Sequence, residues 1–190
     1  MKLSTREITL AGLMAALIIV VVVITRIPFV SAVVPFSLQP LLALLAGAVL
    51  GPKVGALSMV IYILLGLMGL PVFSAEPFGG LAYVLKPSFG FLLGQLLAAY
   101  LTGKILQGKD PRQITSYLLA ALAGMVAIYG LGLPYLYVIL NFYLGKAISV
   151  GGVIGTFFLP FALWDLFKVV IAASLARAIH LRLPKTMLNR

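Results

Sequence analysis

Apolar residues run through this chain in long blocks, and short clusters of Pro, Gly and charged residues separate them. The blocks show no sustained period-two alternation, which argues against the strands of a membrane barrel. Six blocks read as helical spans: Ile8–Thr25, Leu38–Leu50, Val54–Leu70, Phe89–Leu106, Ile114–Leu133 and Thr156–Ile179. A full crossing takes about 20 apolar residues. The second block is short and bounded by prolines, so it is tilted, partly interfacial, or extended by residues 33–36. Gly51-Pro52-Lys53 predicts a tight turn, and residues 108–112 a short polar loop. The other connections are longer and carry Pro, Gly and aromatics in place of solvating charges: Arg26–Ser37, Pro71–Ser88 and part of Leu133–Gly155. Loops of that kind pack onto something, as a lid over a pocket does. The apolar stretch Leu133–Ser149 is expected to form a structured loop or a short helix rather than a seventh span.

Composition fixes the class. The 190 residues are 63% hydrophobic and only 9% charged, and mean hydropathy is +1.18. A soluble domain of this length needs a wetter exterior. The expectation is an all-α integral membrane protein, a compact bundle of six transmembrane helices forming one domain over residues 1–190. The net charge of +10 then reflects topology and not nucleic-acid binding. With six spans both termini share a side with Lys53, Lys104, Lys109, Arg112 and Arg177, whereas only Arg26, Lys86 and Lys146 fall opposite. Lys and Arg collect in cytoplasmic loops, so both termini are expected in the cytoplasm. Lys2 and Arg6 before an apolar run resemble a signal peptide, but the run is long and lacks a small-residue cleavage site. It is read as a retained first span.

Candidate chemistry centres on the last span. Asp165 and Lys168 lie three apart in Leu163-Trp164-Asp165-Leu166-Phe167-Lys168 and share a helix face. A charge at a helix centre costs about 2.5–3.5 kcal/mol on insertion scales, so an ionisable pair there marks a functional site by default. About ten residues separate Asp165 from the external start of the span, which puts the pair in the outer half to the middle of the membrane. Trp164 either walls a pocket or serves as an interfacial anchor. In the external loop before the fourth span, Gly79-Gly80 allows close backbone approach, and Tyr83 and Lys86 share a face three residues apart. Gln39, at the start of the second span, either contacts a ligand or satisfies a proline-broken backbone. Asn141 among aromatics is a weaker candidate. Ala11/Ala15 and Gly12/Ala16 repeat at four-residue spacing and serve close helix packing, either internal or against another membrane subunit.

Absences narrow the function. The chain has no Cys, and its one histidine, His180, falls in the basic C-terminal stretch, so neither a metal cluster nor a Ser-His-Asp triad is expected in the membrane. There is no Gly-x-x-x-x-Gly-Lys-Ser/Thr loop, and one deep carboxylate cannot form an aspartyl dyad. Capture of a solute is expected, not enzymatic catalysis, with no cofactor.

Several motifs in order carry a family resemblance. Val34-Pro35-Phe36-Ser37-Leu38-Gln39, Leu45 through Ala56, Leu65 through Phe73, and Pro160 followed by Asp165-Leu166-Phe167-Lys168 resemble the BioY family, the biotin-specific S components of energy-coupling-factor transporters. Lys86-Pro87-Ser88-Phe89-Gly90-Phe91 stands where that family usually has Gly-Pro-Thr-Gly-Gly-Tyr. The resemblance implies a six-helix biotin-binding subunit in the prokaryotic plasma membrane. Its implied partners are a transmembrane coupling subunit and two cytoplasmic ATPases, docked through an Ala-x-x-x-Ala pattern like that of Ala11 and Ala15. It further implies that Asp165 accepts the ureido N–H groups. Lys168 and Lys86 divide the roles of holding Asp165 and meeting the carboxylate, in either order. Tyr83, Gln39, Trp164 and aliphatic neighbours would enclose the rest. Two other readings stay open on the residues alone: capture of another water-soluble vitamin, or an independent carrier that uses Asp165 as a proton relay.

Overall fold

The computed structural model describes residues 3–27 and 37–182. The proline-containing motif at 34–36 and the basic residues Lys2, Lys185 and Arg190 lie outside the described residues. Six α-helices account for most of what is described, and five are long and apolar enough to cross a membrane.

Helix α1 spans Thr5–Thr25. A capping box starts it: the Ser4 hydroxyl accepts from the Glu7 backbone N–H, and the Glu7 carboxylate accepts from the Ser4 N–H. Ala11, Ala15, Ile18 and Val22 recur every three or four residues and are buried, while Leu13, Leu17 and Val20 point outward. This is the stripe of a helix packed along one side only.

Helix α2, Gln39–Leu67, is a hairpin. Gly51 has φ 82° and ψ 174°, a conformation open essentially to glycine, and Pro52 follows it. The chain reverses there. A Cβ on Gly55 would lie 2.7 Å from the Gly47 Cα, whereas eight residues along a straight helix separate atoms by about 12 Å. At the far end of the two legs, Gln39 Nε2 donates to the Tyr62 hydroxyl at 2.7 Å. The separation of the second and third spans at Gly51-Pro52-Lys53 is therefore observed, as two antiparallel legs.

A hood follows the hairpin. Its backbone presses on the hairpin's end: a Cβ on Gly79 would sit 2.3 Å from the Leu70 carbonyl oxygen. The Gly80 N–H donates to the Gly66 carbonyl at 2.7 Å, and a single 3-10 turn, Leu81–Leu85, closes the hood. Helices α3 (Phe89–Leu106) and α4 (Ile114–Val138) come next, and α3 packs between the hairpin and α4.

Three expectations need correction beyond this point. The apolar stretch from Leu133 is not chiefly a loop: α4 continues past Pro134 to Val138 and ends in a π-helical turn, Ile139–Tyr143. Pro134 has no N–H for the carbonyl one turn back, a defect that packed membrane helices tolerate. The last span does not begin at Thr156. That residue belongs to a short helix α5, Val150–Phe157, and α6 runs Leu159–Arg182. Asp165 thus lies six residues into its helix rather than ten. His180, assigned to the basic C-terminal stretch beyond the last span, lies within α6: it is 3% exposed, with Nδ1 2.7 Å from the Tyr117 hydroxyl of α4.

Candidate functional site

Helices α4, α5 and α6 contact one another. The three line a half-open cavity of about 770 Å³, within the range of roughly 300–1,000 Å³ common for small-ligand sites. Its long wall comes from Leu122, Val126, Tyr129, Leu133 and Tyr137 of α4, spaced three or four apart and so on one face. Val150, Val153 and Ile154 of α5 form the cover. Asn141 pins the segment before α5: its Nδ2 donates to the Tyr137 and Ile148 carbonyls, and its Oδ1 accepts from the Ile148 N–H, each at 3.1 Å.

Asp165 supplies the charge in this apolar space. It is 6% exposed, and Lys168 is 7% exposed. Lys168 Nζ donates to Asp165 Oδ1 at 2.5 Å, the one ion pair among the described residues. Tyr129, on α4, donates its hydroxyl to Asp165 Oδ2. The carboxylate therefore has one donor on each oxygen and retains acceptor capacity, since an ionised carboxylate offers about four lone-pair sites. Lys168 has spent one of its three donors on this bond. Asp165 lines the cavity and Lys168 stands behind it without lining it, so a carboxylate with spare lone pairs at the head of an apolar cavity suits a ligand with an N–H donor on an apolar body. Charge-assisted bonds of this kind, shielded from water, are the strong ones.

The remaining candidates fall elsewhere. Gln39 is buried and joins a polar relay between hairpin and hood, because Tyr62 in turn donates its hydroxyl to the Val72 carbonyl at 3.0 Å. Tyr83 is buried in the hood against Phe73, with ring centroids 4.2 Å apart, and its hydroxyl accepts from Ser88 Oγ. Lys86 is exposed at the end of the 3-10 turn. Trp164 faces outward, 48% exposed. None of these four lines the Asp165 cavity. Hood and cavity are nonetheless linked through α4, whose Tyr135 donates its hydroxyl to the Val84 carbonyl. The small residues of α1 divide: Ala11 and Ala15 are fully buried, while Ala16 faces outward and Gly12 has open space beside it.

Tyr129 is the site residue that sequence reasoning passed over. Its surroundings, Ile128-Tyr129-Gly130-Leu131-Gly132, carry no charge or motif, and 36 residues separate it from Asp165.

The fold defines a multi-pass helical membrane protein with a buried ion pair beside an apolar cavity. The chain belongs to the BioY family, whose model matches residues 1–185. It is 40% identical over 188 residues to the biotin transporter BioY of Thermotoga maritima, which covers 97% of this chain and 99% of that one. It is 34% identical to the biotin transporter BioY of Rhizobium etli (96% and 97% covered) and 36% identical to that of Rhodobacter capsulatus (97% and 98%). A crystal structure of the S-component for biotin from an ECF-type ABC transporter matches all of both chains with a TM-score of 0.74 at 23% identity. That likeness speaks for the fold. The relatives are named as transporters, in keeping with a chain that is not an enzyme.

Proposed function

We propose that this chain is the biotin-capturing S component of an ATP-driven energy-coupling-factor transporter in a prokaryotic plasma membrane. The observation that carries the reading is the Asp165 carboxylate, held by Lys168 and Tyr129 at the head of an apolar cavity. Biotin presents a cyclic urea with two N–H donors and a carbonyl, an apolar sulfur-containing ring and an aliphatic tail. In this reading Asp165 accepts from a urea N–H group and Lys168 donates to the ligand or holds Asp165 in place. The aliphatic faces of α4 and α5 cover the rest. Lys86 meets the tail carboxylate after the hood moves toward the cavity. The family relationship and the names of the relatives point to the same solute.

Transport then needs energy from partners, since no phosphate-binding loop of the Gly-Lys-Ser/Thr kind occurs in the chain. A transmembrane coupling subunit and two cytoplasmic ATPases supply it. With Ala11 and Ala15 packed inward, the Gly12–Ala16 strip is the part of that set left for a coupling subunit. Both termini face the cytoplasm in this arrangement, consistent with where Lys and Arg collect.

The test is biotin binding to the purified chain against a panel of other water-soluble vitamins, paired with uptake in cells with and without the coupling subunit and ATPases. Saturable binding selective for biotin, and ATPase-dependent uptake, are expected. Selectivity for another vitamin would move the substrate. Uptake that needs no ATPase and collapses with an uncoupler would replace the partnership with a proton-driven carrier.

A further inference from the structure

Asp165 sits at the end of a chain of rigid contacts running through three helices. Two other rings stand at right angles to the Tyr129 ring. Phe158, just ahead of α6, lies 4.8 Å away between centroids at 89°, and Phe91 of α3 lies 6.0 Å away at 88°. The place of Phe91 depends in turn on Gly132 of α4, where a Cβ would fall 2.3 Å from the ring. Edge-to-face contacts are the favoured geometry for aromatic pairs, so two of them at right angles to one ring oppose its tilting. The hydroxyl at the end of that ring donates to Asp165 Oδ2.

The consequence lies in the carboxylate plane. The terminal torsion of an aspartate is broad, and its plane turns easily unless both oxygens are held. Lys168 holds Oδ1 from a flexible four-carbon stem on the same helix and leaves the plane free to rock. Tyr129 holds Oδ2 from a different helix, on a ring with few torsions. We propose that Tyr129, braced by Phe91 and Phe158, is the specificity-determining positioning residue of the site. It fixes the Asp165 carboxylate so that a remaining lone pair points in one direction into the cavity and accepts one ring N–H donor. The ligand class it selects is a cyclic urea whose Asp165-facing nitrogen is unsubstituted. This rests on the function proposed above.

The experiment compares biotin with biotin methylated on the ureido nitrogen whose substitution weakens parental binding more, by equilibrium binding to the purified full chain, for the parent, Tyr129→Phe and Phe91→Leu. Tyr129→Phe removes one oxygen. Phe91→Leu loosens the ring without touching Asp165 or the cavity wall. The parent prefers biotin. That preference falls about tenfold in Tyr129→Phe, the size of one hydrogen bond to a charged group, and by a smaller factor in Phe91→Leu. A uniform weakening of both ligands, or no change, overturns the proposal and leaves Tyr129 a packing residue. Infrared spectra of the protein labelled with carbon-13 aspartate give a ligand-free readout, with Asp165→Asn assigning the band. A shift of the Asp165 carboxylate stretch is expected in both aromatic variants, and an unmoved band overturns the brace. If the parent binds neither ligand, the assigned function fails while the spectra still decide whether the brace acts on Asp165.

Discussion

Replacing Asp165 by Asn separates folding from recognition. Lys168 is 7% exposed and its ammonium bonds Asp165 at 2.5 Å. Removing one member of such a pair leaves the other charge buried and uncompensated, which costs about 3–5 kcal/mol in stability. Asn still offers an oxygen to Lys168 or Tyr129, so the lower end, about 3 kcal/mol, is expected. For a chain of this size that lowers the melting midpoint by about 6–12 °C. The loss in binding has a second origin, because the amide presents an N–H where the ligand's own N–H must approach. Truncation of a buried hydrogen-bonded charge at an interface costs about 2–5 kcal/mol, or roughly 30- to 5,000-fold in affinity. The double variant Asp165→Leu/Lys168→Met tells the two effects apart. Apolar replacement of a whole buried pair is often neutral or stabilising, so this variant should melt near the parent and bind no biotin. Calorimetric titration and thermal unfolding in one detergent supply both readings. Biotin binding at parental strength in either variant would refute the site.

Other predictions follow from packing and backbone geometry. Gly51→Ala forces a side chain into a positive-φ, extended-ψ conformation and should destabilise the chain by about 1–3 kcal/mol in thermal unfolding, with biotin affinity unchanged. Gly103→Ala places a Cβ 2.4 Å from the Pro52 backbone nitrogen, which cannot yield as a side-chain tip can, so α3 must move off the hairpin turn at about 1–3 kcal/mol. Tyr62→Phe strands the buried Gln39 amide and the Val72 carbonyl, lowering stability by about 1–3 kcal/mol and loosening the hood, which limited proteolysis near Ser74 reads. The absence of Cys makes topology testable by single-cysteine labelling: Lys53→Cys should react only with reagents on the cytoplasmic side, and Lys146→Cys with impermeant external ones.

What the sequence revealed depended on how local each feature is. The reversal at Gly51-Pro52 was readable because the φ demanded there selects its own residue. The Asp165–Lys168 pair was readable because three residues on a helix guarantee a shared face. The buried stripe of α1 followed from spacing, although spacing alone left open whether Ala11 and Ala15 meet this chain or another. Tyr129 was not readable: it contacts Asp165 only after α4 and α6 dock, and its sequence signal matches that of Tyr135, whose hydroxyl goes to the hood instead. The extension of α4 was hidden by Pro134, a helix breaker in water that lipid and neighbouring helices accommodate. His180 fell among basic residues past the expected end of the last span, yet α6 continues through it and its helix face turns it inward to Tyr117. Gln39 and Tyr83 are polar residues at apolar places, as expected, but their partners are Tyr62 and Ser88 rather than the Asp165 cavity.

The central claim is that recognition happens at Asp165, in the cavity between α4, α5 and α6. A structure of the chain with biotin bound tests it most directly. The account predicts a ureido nitrogen at about 2.7–3.2 Å from an Asp165 carboxylate oxygen, with the ligand's apolar ring against the α4 wall near Leu133. Biotin held under the hood by Tyr83 and Gln39, with the Asp165–Lys168 pair untouched, would contradict it.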